Sequence, residues 1–148
     1  MAFTLDGRTL PTPQPDAMNA EFWDAAKQGR FVVAKCDNCG NVMAAPVANC
    51  RKCLSVDVSW IDASGRGEVF TFIEYHRAWR HEFAGILSYV VGVVTLAEGP
   101  RMVLGVIGDA DNLRIGDPVE IVYQERADGF RVPMAKVRPA GAAGSHRG

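Results

Sequence analysis

Four cysteines stand in this chain as two matched pairs, Cys36-Asp37-Asn38-Cys39 and Cys50-Arg51-Lys52-Cys53, with ten residues between the pairs. A Cys-x-x-Cys pair turns two thiolates onto one ion from a tight turn. A second pair one short loop away completes a tetrahedral set of four sulfurs. Such a site leaves no position for water or substrate, so the metal it predicts is structural. Zn²⁺ is the favoured occupant, and a rubredoxin-like iron site would use the same ligands. A thioredoxin-like redox pair needs a strand running into a helix. Here Phe31 to Lys35 and Val42 to Ala45 read instead as short strands on either side of a knuckle. Gly40, directly after the first pair, supplies the positive φ that such a turn requires, and Leu54, after the second pair, does not carry that argument.

The remaining sequence is that of an ordinary globular chain. At 148 residues, 48% hydrophobic and 22% charged, it can bury a proper core, and no run approaches the length of a membrane span. The start, Met1-Ala2-Phe3-Thr4-Leu5-Asp6, lacks the basic and apolar regions of a signal peptide, and paired thiols fit a reducing cytoplasm. Net charge is −1, but residues 27–52 carry a local +4 and residues 82–125 a local −5. These are either differing solvated faces or a basic module that meets an acidic partner or phosphate groups.

Pro11-Thr12-Pro13-Gln14-Pro15 predicts an extended arm, followed by a short helix with Asp16 as N-cap, Met18, Phe22, Ala25 and Ala26 at helical spacing, and Gly29 as the stop. Phe22 and Trp23 must be buried for so short a helix to persist, either in the chain's own core or against a partner. Val56 to Ile61 alternates as a strand. Beyond the turn Ser64-Gly65-Arg66-Gly67 five more strands are predicted: Glu68–His76, Ser88–Leu96, Arg101–Gly108, Val119–Arg126 and Phe130–Val137. Their order and size suggest a small Greek-key barrel, the OB-fold, with a β-sandwich as the alternative. The chain thus reads as mainly β: an arm and helix over 1–30, a metal ribbon over 31–62, a barrel over 63–140 and a disordered tail over 141–148.

The arm, the Phe22-Trp23 helix, Gly29-Arg30, the paired cysteines, Ser64-Gly65-Arg66-Gly67, Tyr89-Val90-Val91, Glu98-Gly99-Pro100 and Ile115-Gly116-Asp117-Pro118-Val119 together resemble the zinc-ribbon/OB-fold family of acyl-CoA-associated proteins, long catalogued as a domain of unknown function. The resemblance runs from about Pro13 to Ala140. It implies a rubredoxin-like zinc ribbon on an OB-fold barrel, and an accessory subunit of thiolase-like enzymes, either ketoacyl-CoA thiolases or retro-aldolases, with acyl-CoA at the shared interface. The second knuckle, Cys-Arg-Lys-Cys-Leu-Ser, departs from the proline and glycine that the family often places there. The ligands survive this departure.

No catalytic constellation is legible in the chain. There is no Ser/His/Asp signature or phosphate loop, and metal binding would use every cysteine. The segment from Tyr75 to Phe83 concentrates His76, Arg77, Trp79, Arg80 and Phe83, which makes it a candidate ligand or substrate-channel loop or else a plain barrel connection. Phe22 and Trp23 are the candidate partner contacts. An OB-fold also raises single-stranded nucleic-acid binding on aromatics such as Tyr75, Trp79 and Phe83, but residues 66–82 balance three arginines with three glutamates. Such binding draws on a positive surface, and this segment is neutral.

Overall fold

The computed structural model describes residues 12–44, 48–77, 89–108, 110–126 and 128–139. One helix, α1 (Ala20–Lys27), precedes a ribbon sheet of β1 (Val32–Cys36), β2 (Val42–Met43) and β3 (Val58–Asp62). Five further strands follow: β4 (Arg66–Tyr75), β5 (Tyr89–Leu96), β6 (Arg101–Ile107), β7 (Pro118–Glu125) and β8 (Arg131–Val137). The ribbon is ordered β2-β1-β3 and antiparallel, with Ala34 opposite both Met43 and Trp60. The other five strands close into a barrel, β4-β5-β6-β8-β7, through the parallel pairing of β6 with β8. Closure settles the choice between barrel and sandwich, and the strand count and order are those of an OB-fold.

The helix starts later than its sequence predicts. The Asp16 carboxylate accepts hydrogen bonds from the backbone N–H groups of Met18 and Asn19, at 2.9 and 3.1 Å, and Asn19 Oδ1 accepts the N–H of Asp16 at 2.8 Å. Asp16 therefore caps a turn, and α1 proper begins only at Ala20. Its end follows the prediction. Gly29 takes φ +74°, its N–H reaches Ala26 O, and the N–H of Arg30 reaches Ala25 O, the paired bonds of a Schellman stop.

One core runs through barrel, helix and the root of the ribbon. Val69, Val90, Val94, Leu96, Leu104, Val106 and Val119 fill the barrel, while Phe22, Ala25, Phe31, Val32 and Val33 extend the same cluster outward. Phe22 is the hinge of this arrangement: its ring lies 6.4 Å from those of both Phe31 and Trp60 on the ribbon and 5.2 Å from Trp23. Trp23 in turn meets Phe130 of the β7–β8 turn edge-on at 5.7 Å. The Tyr123 hydroxyl donates to Arg30 O at 2.8 Å, fastening the same joint. Burial holds that phenol above its ordinary range, at about 12.

The two turn motifs of the barrel also meet. Glu98 accepts the backbone N–H of Ser64 at 2.6 Å, and the N–H of Ala97 reaches Arg66 O at 2.8 Å. A Cβ on Gly67 would lie 2.6 Å from Thr95 O, so this position admits no side chain. Among the described residues, no helix is long and apolar enough to cross a membrane.

Candidate metal centre

Each Cys-x-x-Cys pair sits on a knuckle built by the same backbone bonds. The N–H of Gly40 reaches Cys36 O and the N–H of Cys36 reaches Asn41 O, both at 2.9 Å. In the second knuckle the N–H of Leu54 reaches Cys50 O at 2.9 Å and the N–H of Cys50 reaches Ser55 O at 2.8 Å. The equivalence extends to the backbone angle, with φ +73° at Gly40 and +63° at Leu54. The knuckle thus imposes the left-handed conformation whether or not glycine is there. Leu54 adopts it at a cost of about 1–2 kcal/mol, with its side chain 72% exposed.

The four sulfurs converge, all lying within 4.8 Å of one another. Cys36 to Cys53 and Cys39 to Cys50 are each 3.6 Å apart at Sγ. That is far beyond a disulfide bond of about 2.05 Å, and all four are free thiols. It is close to the edge of about 3.8 Å that a tetrahedron with Zn–S bonds of about 2.3 Å would have. The residues fit a four-thiolate zinc ion.

The surroundings favour ionised sulfur at Cys50 and Cys53. Backbone N–H groups, that of Cys53 first and then that of Lys52, hold the Cys50 thiol down at about 6. The Asn38 side-chain amide, 3.5 Å from Cys53 Sγ, and then the N–H of Ser55 hold Cys53 below its ordinary range. Asn41 adds a side-chain donor 3.7 Å from Cys50 Sγ. At Cys39 the N–H of Asn41 pulls downward, but lost hydration and three neighbouring sulfurs push the thiol up to about 12. Four thiolates this close repel, so a cation is what lets all of them ionise together. The cysteine spacing alone does not single out Asn38 and Asn41. Their signal is an amide inside the first pair and another two residues beyond it, placed to donate to sulfur.

The other predicted site residues lie elsewhere. Phe22 is only 5% exposed and belongs to the chain's own core, so its side chain is not offered to a partner. Trp23 is half-buried and lines a groove between α1 and the barrel. His76 and Arg77 are exposed at the end of β4, with His76 Nε2 3.4 Å from a Glu74 carboxylate oxygen. Trp79, Arg80 and Phe83 lie outside the described residues, as does the tail over 141–148.

Comparison with known proteins agrees with this geometry. Residues 23–58 match the family model described as the ChsH2 rubredoxin-like zinc ribbon domain, and residues 60–124 match the ChsH2 C-terminal OB-fold domain. A probable enoyl-CoA hydratase alpha subunit of Thermomonospora curvata is 34% identical over 88% of this chain, which spans only 40% of that relative's length. A DUF35 domain-containing scaffold protein of Methanothermobacter thermautotrophicus is 32% identical over 62% of this chain and 70% of its own. Among solved structures, a chain of the Ltp2-ChsH2(DUF35) aldolase superimposes with a TM-score of 0.75 at 31% identity, covering 85% of this chain and 98% of that one. With both domains matched and the four sulfurs in place, the chain belongs to the DUF35 family and has the zinc ribbon and OB-fold of ChsH2.

Proposed function

We propose that this chain is a non-catalytic accessory subunit of a thiolase-like enzyme, a ketoacyl-CoA thiolase or retro-aldolase, and that acyl-CoA chemistry is carried out by the partner in a reducing cytoplasm. The observation that carries the reading is the likeness to the DUF35 chain of an aldolase complex, which this chain matches over 98% of that chain's length. The distribution of chemistry supports it. All four cysteines converge on the metal site, and the serine hydroxyls that meet a carboxylate, Ser59 on Asp37 at 2.7 Å and Ser55 on Asp57 at 3.3 Å, do so on the exposed side of the ribbon.

In this reading zinc fixes the knuckles and thereby shapes the end of the ribbon. The bound ion supplies cross-linking and no chemistry to a substrate. Asn38, Asn41 and the backbone N–H groups around the thiolates hold the cage in register.

Co-expression with a thiolase-like subunit encoded beside the chain's gene tests the proposal. The expected product is a stoichiometric, zinc-containing complex that turns over an acyl-CoA, while the isolated chain turns over none. Turnover by the purified chain alone would overturn the reading, as would failure of the two polypeptides to associate.

A further inference from the structure

The outer wall of the barrel is not uniform. The register of β4, β5 and β6 sets Thr71, Val93 and Val103 in one outward row, Ile73, Val91 and Gly105 in the next, and Tyr75 beside Tyr89 in a third. The alternate positions, including Val90, Val94, Leu104 and Val106, form the core. An antiparallel strand with one wet face alternates apolar and polar residues, whereas a strand covered on both faces reads as an apolar run. β5 reads Tyr-Val-Val-Gly-Val-Val-Thr-Leu, apolar on both faces, yet Ile73 and Val103 beside it are 52% and 66% exposed. Because the barrel is closed it offers no free edge for strand addition, so whatever covers this wall must lie on its face.

Two features give the wall a rim. A register shift between Val69 and Thr71 turns Phe70 outward to 44% exposure, and the Arg101 guanidinium stacks 3.6 Å from its ring centroid. An arginine held flat on an aromatic ring is a common interface anchor. Glu68 shares the row of Arg101, two strands away on β4, and no ion pair joins the two, because the guanidinium lies over Phe70 instead. At the other margin, Val103 leads into a groove of about 320 Å³ lined by Trp23, Met102, Pro133 and Met134, deep enough to take a side chain.

We propose that this outer face of β4-β5-β6, continued into the groove beside Trp23, is the seat of the enzyme subunit, and that the partner brings an apolar surface with a carboxylate opposite Arg101. The proposal rests on the accessory-subunit reading and adds the surface and the chemistry of its occupant. Arg101 decides the chemistry. Covering a guanidinium with apolar surface is costly without an anion, so the apolar face and the arginine are satisfied together by a partner that has both features. An oligonucleotide fits less well, since it needs a positive track, and among the described residues this face offers only Arg101 and, at the start of β4, Arg66, with Glu68 beside them.

The test uses the complex formed with the co-expressed thiolase-like subunit. Val103→Glu should weaken the dissociation constant by about 30-fold or more and Arg101→Ala by about 10-fold, with zinc content and circular dichroism unchanged. Glu120→Gln, on β7, should stay within about twofold. Wild-type affinity in both Val103→Glu and Arg101→Ala would overturn the surface while leaving the accessory reading intact; the arginine variant keeps the test open if Val103→Glu fails to fold. A wild-type chain that captures no enzyme subunit would instead remove that reading and this occupant with it. Self-association of the isolated chain, or binding of a dT oligonucleotide, that Val103→Glu abolishes would assign the face to a second copy or to nucleic acid and overturn the proposal.

Discussion

The tip of the ribbon and the barrel are held by different physics. Among the described residues around the cysteines, the buried ones are Ala34, Cys36, Met43 and Cys50, of which two are metal ligands, so these offer little hydrophobic surface to hold the knuckles. The barrel has a full aliphatic core closed by hydrogen-bonded strands, and it shares that core with α1 and the root of β1. The boundary between the two regimes falls inside the ribbon. On one continuous strand, Val32 and Val33 belong to the barrel's core and Ala34 and Cys36 to the metal cluster. A ribbon of this kind is a metal-fastened extension of the barrel's own core.

The largest effect should separate the two regions outright. Structural zinc contributes roughly 10–16 kcal/mol to small zinc-folded peptides. Cys39→Ser should therefore lose the metal and the amide protection of residues 36–55, while hydrogen exchange in β4 to β8 changes little. Equal loss of protection in the barrel would erase the distinction. Phe22→Ala should sharpen it by acting at the joint. Removing a buried ring that touches both Phe31 and Trp60 costs about 3–5 kcal/mol and should lower the melting transition of the barrel with zinc still bound.

A smaller effect belongs to the barrel alone. Burial works to raise the Glu98 carboxyl, but hydrogen bonds from Ser64 outweigh it and hold the group below its ordinary 4.5. A lowered folded value means that its contribution is complete above about pH 4.5 and is lost as pH falls through the lower value. Glu98→Gln should cost about 1 kcal/mol at pH 7 and flatten the acid limb of a denaturation profile; an unchanged limb would place the acid sensitivity elsewhere.

The smallest effect returns to the ribbon. Leu54→Gly should relieve a strained φ of 63° and, after the added freedom of glycine in the unfolded chain, stabilise the zinc-bound form by about 0.5–1 kcal/mol. Competition with a chelator would report this as zinc held a few-fold more tightly. Weaker zinc would mean that the exposed leucine side chain itself supports the knuckle.

Legibility followed the range of the interactions. The cysteine pairs were readable because a four-sulfur cage is encoded by spacing within one short stretch. The five barrel strands were readable because alternation and turn residues are local. Asp16 does not cap the helix because its carboxylate takes whichever backbone N–H groups come within reach, and those of Met18 and Asn19 belong to the turn that leads into Ala20. The positive φ at Leu54 was missed because the residue carries no sign of it; the demand comes from the knuckle's closing bonds. Phe22 and Trp23 were adjacent candidates for one role, and only packing separated them, sending Phe22 into the core and leaving Trp23 beside the groove.

By itself the sequence determined the metal ligands, the mainly β composition and the division into ribbon and barrel, since each depends on residues close together in the chain. The tertiary structure alone decided that the barrel closes through β6 and β8, that the ribbon's root shares the barrel's core, and that Ile73, Val91, Val93 and Val103 align on one outward wall. These features depend on register between distant strands, and a shift of one residue would exchange core for surface without altering the local pattern.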